Sequence, residues 1–260
     1  MRNRASLLAC LLFCGLIFSA ATLFAPARSQ ADISSNSRCG SVDLVLVMDT
    51  TFSLAGSIGE MKRQAEEILD VLFRVSGGDF RLGLVSFDDS VAVRLDLDAL
   101  PDIDTKVDLM KKELNRLHAY GGRSGPEASD EAINAAINGL PAQGRQQVGD
   151  FNGDWISDTR ILVLITDNKP GGFDDTFTKG VDDLNAYRVA LAAQRKNIHI
   201  SAIYVPTSGS FFGVDPEVSM IMRTYASETG GLYVETATHG TGTAAAVASI
   251  VETCGENQLF

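Results

Sequence analysis

The sequence is short of positive charge. Lysine and arginine number 22 against 33 aspartates and glutamates, a formal net charge of −11. Phosphate backbones and anionic lipid surfaces repel such a chain, so nucleic acid is not the expected partner and cations are welcome. Histidine is scarcer still: His118, His199 and His239 stand alone on separate segments, and none is placed to act as a base beside the acidic motifs below. There is no G-x-S-x-G elbow, no H-E-x-x-H pair and no phosphate-binding glycine loop, which argues against an enzyme. No internal repeat or low-complexity segment stands out.

Cysteine is also sparse, and its placement is informative. Cys10 and Cys14 lie in an amino-terminal segment that begins MRNR, continues apolar from Leu7 to Phe24 and ends APARSQA. A basic start, an apolar middle and small residues near the end read as a secretory signal peptide over residues 1–31, cut after Ala31 in preference to Ala27. The competing reading is an uncleaved anchor, because the apolar run approaches spanning length. Leu7-Leu8-Ala9-Cys10 looks like a lipoprotein box, but too few apolar residues precede Cys10 for lipidation.

Losing the segment removes Arg2, Arg4 and Arg28 and no acid, which takes the charge from −11 to −14. The 229 residues left of 260 form one domain with a full core: a polar leader at 32–41, the domain at 42–254 and a tail at 255–260. The expected location is secreted, extracellular or periplasmic, with no stable membrane insertion after cleavage. Cys39 and Cys254 then flank the domain, and an oxidising compartment favours a disulfide between them. The alternative is two free thiols.

Hydrophobic periodicity sets the fold class. Asp43–Met48 and Arg160–Thr166 are nearly continuous apolar runs, as expected of strands covered on both faces. Ser57 with Glu60 reads as a capping box opening a helix that ends at Gly77-Gly78. Phe80–Phe87 and VAVRLDL form a hairpin around Asp88-Asp89-Ser90, its second strand at a sheet edge. Further helices are expected at Thr105–Leu117, Pro126–Leu140 with Pro126 in its first turn, Asp182–Lys196, Ser219–Thr229 and Ala244–Thr253. Strands are expected at Ile198–Val205 and Leu232–Glu235. Strands alternating with helices predict an α/β fold: a doubly wound, mostly parallel sheet with one antiparallel edge strand and helices on both faces.

In such a sheet ligands bind beyond the carboxyl ends of the strands. Asp49 ends the first strand, Asp167 ends RILVLIT, and Thr51 and Ser53 follow Asp49 by two and four residues. If the two strands are neighbours, both carboxylates face one crevice, with Ser124 offered by the loop YGGRSGPEA. Hydroxyls and carboxylates are hard oxygen donors suited to Mg²⁺ or Mn²⁺. Neutral hydroxyls leave such an ion electrophilic toward an outside carboxylate.

VDLVLVMDTTFS, GGRSGPEASDEAI and RILVLITDNKP together resemble a von Willebrand factor type A domain with its metal-ion-dependent adhesion site, over roughly residues 42–253. The family pattern is Asp-x-Ser-x-Ser, a threonine from a second loop and an aspartate from a third. The resemblance assigns Asp49, Thr51, Ser53 and Asp167 to an Mg²⁺ or Mn²⁺ ion, and implies a protein ligand that presents Asp or Glu. Terminal cysteines closing the domain also occur in some members, which fits Cys39 and Cys254. The second element departs from the pattern: relatives often read GGGDTPEA, and here Gly125 stands at the threonine position. Ser124 substitutes one residue earlier, water fills the gap, or Glu127 reaches in.

Residues 149–158, GDFNGDWISD, place Asp150, Asn152, Asp154 and Asp158 at positions 1, 3, 5 and 9 of a loop resembling the calcium loops of dockerin and integrin-type repeats. Trp155 stands where those loops carry glycine and Ile161 where they carry the last carboxylate, so a solvated acidic loop is the competing reading. Arg123, Phe173 and Phe177 are candidate partner contacts on the crevice rim. For the two phenylalanines, as for Phe211-Phe212, burial as loop packing is the alternative. The leading expectation is an adhesion-type binding module, not an enzyme. A metal-free structural or assembly module of the same fold is the alternative, and a metal-assisted hydrolase stands further back.

Overall fold

The computed structural model describes residues 37–97, 102–122, 125–174, 176–207 and 214–256. The signal segment, Arg123, Ser124 and Phe211-Phe212 lie outside these. In chain order the elements are β1 (Val42–Asp49), α1 (Ala55–Arg63), α2 (Ala65–Ser76), β2 (Phe80–Phe87), β3 (Val91–Leu95), α3 (Ile103–Arg116), α4 (Ser129–Asn138), β4 (Gln147–Val148), β5 (Thr159–Thr166), α5 (Asp182–Arg195), β6 (His199–Tyr204), α6 (Pro216–Thr229), β7 (Tyr233–Glu235) and α7 (Thr243–Glu252).

One sheet runs in the order β4-β3-β2-β1-β5-β6-β7. Every pairing is parallel except β2 with β3. Strand β3 runs antiparallel to β2, as its hairpin turn predicts, but it is not the edge: two residues of β4 pair parallel to it along its outer side. All eight residues of β1 are buried. Its pleat sends Leu44, Leu46 and Met48 into a layer with α1, α2, α3 and α7, and Val45 and Val47 into a layer with α4, α5 and α6. The two strands that look most buried in the sequence, β1 and β5, are therefore central neighbours. From β1 the chain moves outward to β2 on one side, and from β5 to β6 on the other. That reversal opens a crevice at the carboxyl ends of β1 and β5.

Several boundaries differ from the sequence reading for local reasons. The first helix is two, broken at Gln64, whose φ of −111° and ψ of 14° leave the helical region. It also starts earlier, after a 3₁₀ turn over Phe52–Leu54, and Ser57 with Glu60 is not a capping box. The Ser57 hydroxyl pairs with Thr243 at 2.9 Å, and the Glu60 carboxylate accepts the Gly242 N–H at 2.8 Å. Both residues thus serve the start of α7. Gly240 permits the approach: its φ is +79°, and a Cβ there would lie 2.0 Å from Ser57 Oγ.

Helix α4 starts at Ser129, so Pro126 is not in its first turn. Glu127 is extended instead: its N–H donates to Lys169 O, its carbonyl accepts from Gly171 N, and it forms a bridge with Pro170. Helix α6 starts three residues before Ser219, because Asp215 caps it by accepting from the Glu217 and Val218 N–H groups with Pro216 in the first turn. Cys39 and Cys254 form the disulfide, Cα atoms 5.4 Å apart across 215 residues of sequence. It joins the segment before β1 to the end of α7, at the sheet end opposite the crevice.

Candidate metal centre

Asp49 is fully buried where β1 ends. One carboxylate oxygen accepts the Thr51 N–H at 2.8 Å, and the other accepts the Thr166 hydroxyl at 2.7 Å. The first bond curls the chain so that the Thr51 and Ser53 hydroxyls lie 3.0 Å apart on the same side. Thr50 turns away and anchors the loop through its hydroxyl to Phe87 O at 2.9 Å. Asp167 follows β5 directly and takes hydrogen bonds from the Ser53 and Thr207 side chains. Its Oδ1 is buried without a hydrogen-bond partner. Strands β1 and β5 thus bring Asp49, Thr51, Ser53 and Asp167 together, and Ser53 links the two loops.

A buried and a half-buried carboxylate sharing one crevice repel each other. Burial first, and then the charge of Asp167, push the Asp49 carboxyl up to about 7. Burial likewise raises Asp167, against the hydrogen bonds from Ser53 and Thr207. A divalent cation answers both observations, because it neutralises the pair and gives the partnerless oxygen of Asp167 a ligand. The donor set of two carboxylates and two hydroxyls consists of hard oxygens that fit Mg²⁺ or Mn²⁺.

The second loop runs over the first. Tyr120 N donates to Thr50 O at 2.8 Å, and Phe52 N to Gly121 O at 3.4 Å. Gly122 is packed so closely that a Cβ on it would meet Thr51 Cβ at 2.4 Å and a Glu127 carboxylate oxygen at 3.1 Å. Glu127, only 2% exposed, therefore stands beside Thr51. Gly125, at the threonine position of the family pattern, has φ +96°, and its carbonyl accepts from the Asn168 side-chain amide. Sequence reading passed over Thr166 and Thr207. Thr166 is the last residue of the apolar run RILVLIT, and a hydroxyl ending a buried strand beside Asp49 was the available signal.

The rim candidates Phe173 and Phe177 are partly buried against the α4–α6 layer. Their rings are covered by Arg145 and Lys169, at 5.2 and 5.1 Å from the ring centres. They pack the loop after β5. Residues 150–158 do not gather their acids around one point. Asp150 accepts from Ala142 N at 2.7 Å, and Asp158 accepts from the Ser41 N–H and hydroxyl at 3.1 and 2.9 Å. The Asn152 and Gly153 N–H groups donate to Asp96, and Trp155 donates to Ala136 O. The organiser lies outside the loop. Buried Asp43 accepts from Ile156 N, Ser157 N and Ser157 Oγ, and Arg81 pairs with it while also reaching the Asp154 carbonyl. The Arg81 guanidinium supplies the positive charge that a calcium reading assigns to an ion. Among the described residues no three His, Cys, Asp or Glu side chains form a metal cluster.

No protein-family model and no curated protein matches the sequence. Solved structures do match. The von Willebrand factor domain of the type V pili tip protein Mfa5 from Porphyromonas gingivalis aligns with TM-score 0.57 and 12% identity, over 83% of this chain and 95% of that one. A von Willebrand factor type A protein from Catenulispora acidiphila aligns at 0.54 and 14%, over 83% and 43%. Proximal thread matrix protein 1 from the mussel byssus, with a zinc-occupied adhesion-site motif, aligns at 0.52 and 14%, over 83% and 47%. The chain spans less than half the length of the last two. At these identities the likeness is one of fold, and it agrees with the strand order and the crevice between β1 and β5: the chain has the fold of a von Willebrand factor type A domain.

Proposed function

We propose that this chain is an exported, metal-dependent protein-binding module that takes an acidic group of its partner at the crevice between β1 and β5. One observation carries the reading. The buried carboxylate of Asp49 and the half-buried one of Asp167 share a crevice with the Thr51 and Ser53 hydroxyls, and the buried Asp167 Oδ1 has no partner of its own. Asp49, Thr51, Ser53 and Asp167, with Ser124 from the second loop, would hold Mg²⁺ or Mn²⁺. Bound there, the ion supplies an electrophilic centre for an Asp or Glu side chain from outside.

The residues of the chain do the rest. Thr166 and the Thr51 N–H fix both oxygens of Asp49, and Thr207 and Ser53 orient Asp167. The likeness to a pilus tip domain and to a byssus protein with a zinc-occupied adhesion-site motif supports a binding role. Export as a secreted or periplasmic protein, with residues 1–31 removed and 42–254 forming the module, completes the proposal. The cystine agrees with an oxidising compartment.

The test is calorimetric titration of the metal-stripped domain with Mg²⁺, Mn²⁺ and Ca²⁺ beside Asp49→Ala. Binding of Mg²⁺ or Mn²⁺ that disappears in the variant supports the reading. An absence of binding at millimolar metal refutes it and leaves a metal-free module, in which the Gly125 departure has retired the site.

A further inference from the structure

The crevice carries a feature that metal binding leaves unexplained. Phe52 sits between the two hydroxyl residues Thr51 and Ser53 and is 73% exposed, and Tyr120 on the neighbouring loop is 79% exposed. These are the most exposed aromatic side chains among the described residues. They stand on loops tied to each other at that point, Tyr120 N to Thr50 O and Phe52 N to Gly121 O. The fold does not need either ring. In the turn Phe52–Leu54 the fully buried Leu54 supplies the packing, and the loop after α3 is anchored by buried Leu117. A serine at either position would satisfy the same backbone bonds and remove an apolar face from water. Exposed aromatics held on a fixed backbone are the usual anchors of protein interfaces.

We infer that Phe52 and Tyr120 form an aromatic platform beside the metal site, and that the partner presents a carboxylate with an apolar side chain next to it. The inference rests on the metal-dependent reading above and narrows its partner class. Continuity selects this occupant over a separate apolar ligand: Phe52 is exposed and flanked in sequence by the two crevice hydroxyl residues, so a partner seated in the crevice comes within reach of its ring. Charge selects it over an aromatic-seeking cation, because the partner must bring a carboxylate to the site. The contact differs in kind from the metal bond. It is apolar, insensitive to salt, and supplied by side chains the ion does not use.

The experiment uses blocked four-residue peptides and the whole domain in Mg²⁺ buffer. Gly-Asp-Leu-Gly is compared with Gly-Asp-Ser-Gly and with Gly-Asn-Leu-Gly, and affinities are read by ligand-observed NMR. The wild type is expected to prefer leucine over serine about tenfold, which corresponds to ~1.4 kcal/mol, and to lose the asparagine peptide. In the double variant Phe52→Ser/Tyr120→Ser the leucine preference is expected to fall to about one, with Mg²⁺ affinity unchanged by calorimetry. A wild type that binds Mg²⁺ but shows no leucine preference overturns the platform and leaves the metal site standing. So does a double variant that keeps the preference. A wild type that binds no Mg²⁺ overturns both readings.

Discussion

Replacing Asp49 by asparagine separates stability from function, and the structure gives the sign of each. The wild-type carboxyl is held up near 7, against 3.8 for an ordinary aspartate, by burial and by the charge of Asp167. Between those values the folded chain keeps a proton that the unfolded chain has released, so stability is present at pH 4 and is lost as pH rises toward 7. At about 1.4 kcal/mol per pH unit, the loss from this one group approaches 4 kcal/mol at pH 8. Asparagine carries no charge to bury. It keeps the acceptor for the Thr51 N–H and turns the contact with Thr166 into one in which the amide donates, at a cost of about 1 kcal/mol. The metal-free variant is therefore expected to be slightly less stable than wild type at pH 4 and about 2–3 kcal/mol more stable at pH 8.

The ion closes the gap. A ligand at a hundred times its dissociation constant stabilises the folded state by about 2.7 kcal/mol, and asparagine removes one of the two charges that hold it. Saturating Mg²⁺ at pH 8 should lift the wild type and leave the variant where it was. Urea unfolding across pH 4–8, with and without Mg²⁺, measures all of this. Asp130, raised to about 6 chiefly by burial, adds the same slope to both proteins and cancels in the difference. Parallel pH curves for wild type and variant would refute the account of a buried Asp49 strained by its neighbour Asp167 at the crevice.

Glu127→Gln keeps the shape of the loop and removes the carboxylate beside Thr51; metal affinity should fall about tenfold, in the range for groups that support the ligands of an ion, and an unchanged affinity would place Glu127 outside the ion's surroundings. Cys39→Ser/Cys254→Ser should lower stability by up to about 5 kcal/mol in the chain-entropy model, read as a shift of the urea midpoint. Its metal affinity should match wild type, because the cystine and Asp49 lie at opposite ends of β1, roughly 25 Å apart for eight residues of strand. Asp43→Ala breaks a buried pair with Arg81 and three hydrogen bonds from the 150–158 loop and should cost about 3–5 kcal/mol. Asp154→Ala should leave Ca²⁺ affinity untouched, and a drop would show that the loop holds an ion after all.

The layout of the crevice was legible because it depends on burial and order along the chain. Only strands covered on both faces read as continuous apolar runs, so VDLVLVM and RILVLIT announce central positions. Central parallel strands end in aspartate without penalty only where something meets the charge. Contacts that depend on the third dimension left no such trace. Ser57 and Glu60 have the spacing of a capping box, yet close packing at Gly240 draws both toward the start of α7, almost two hundred residues away in sequence. Asp150, Asn152 and Asp154 have the spacing of calcium ligands, yet Asp43 and Arg81 organise that loop from the strands beneath it. Two of the rim candidates pack inward for the same reason. Phe173 and Phe177 lie in a segment rich in glycine and acids that looks exposed, but long loops fold their aromatics back onto the sheet. Phe52 lies in a three-residue turn between Thr51 and Leu54, both buried, and a turn so short has only one direction left for a third large side chain. That direction is outward, into solvent.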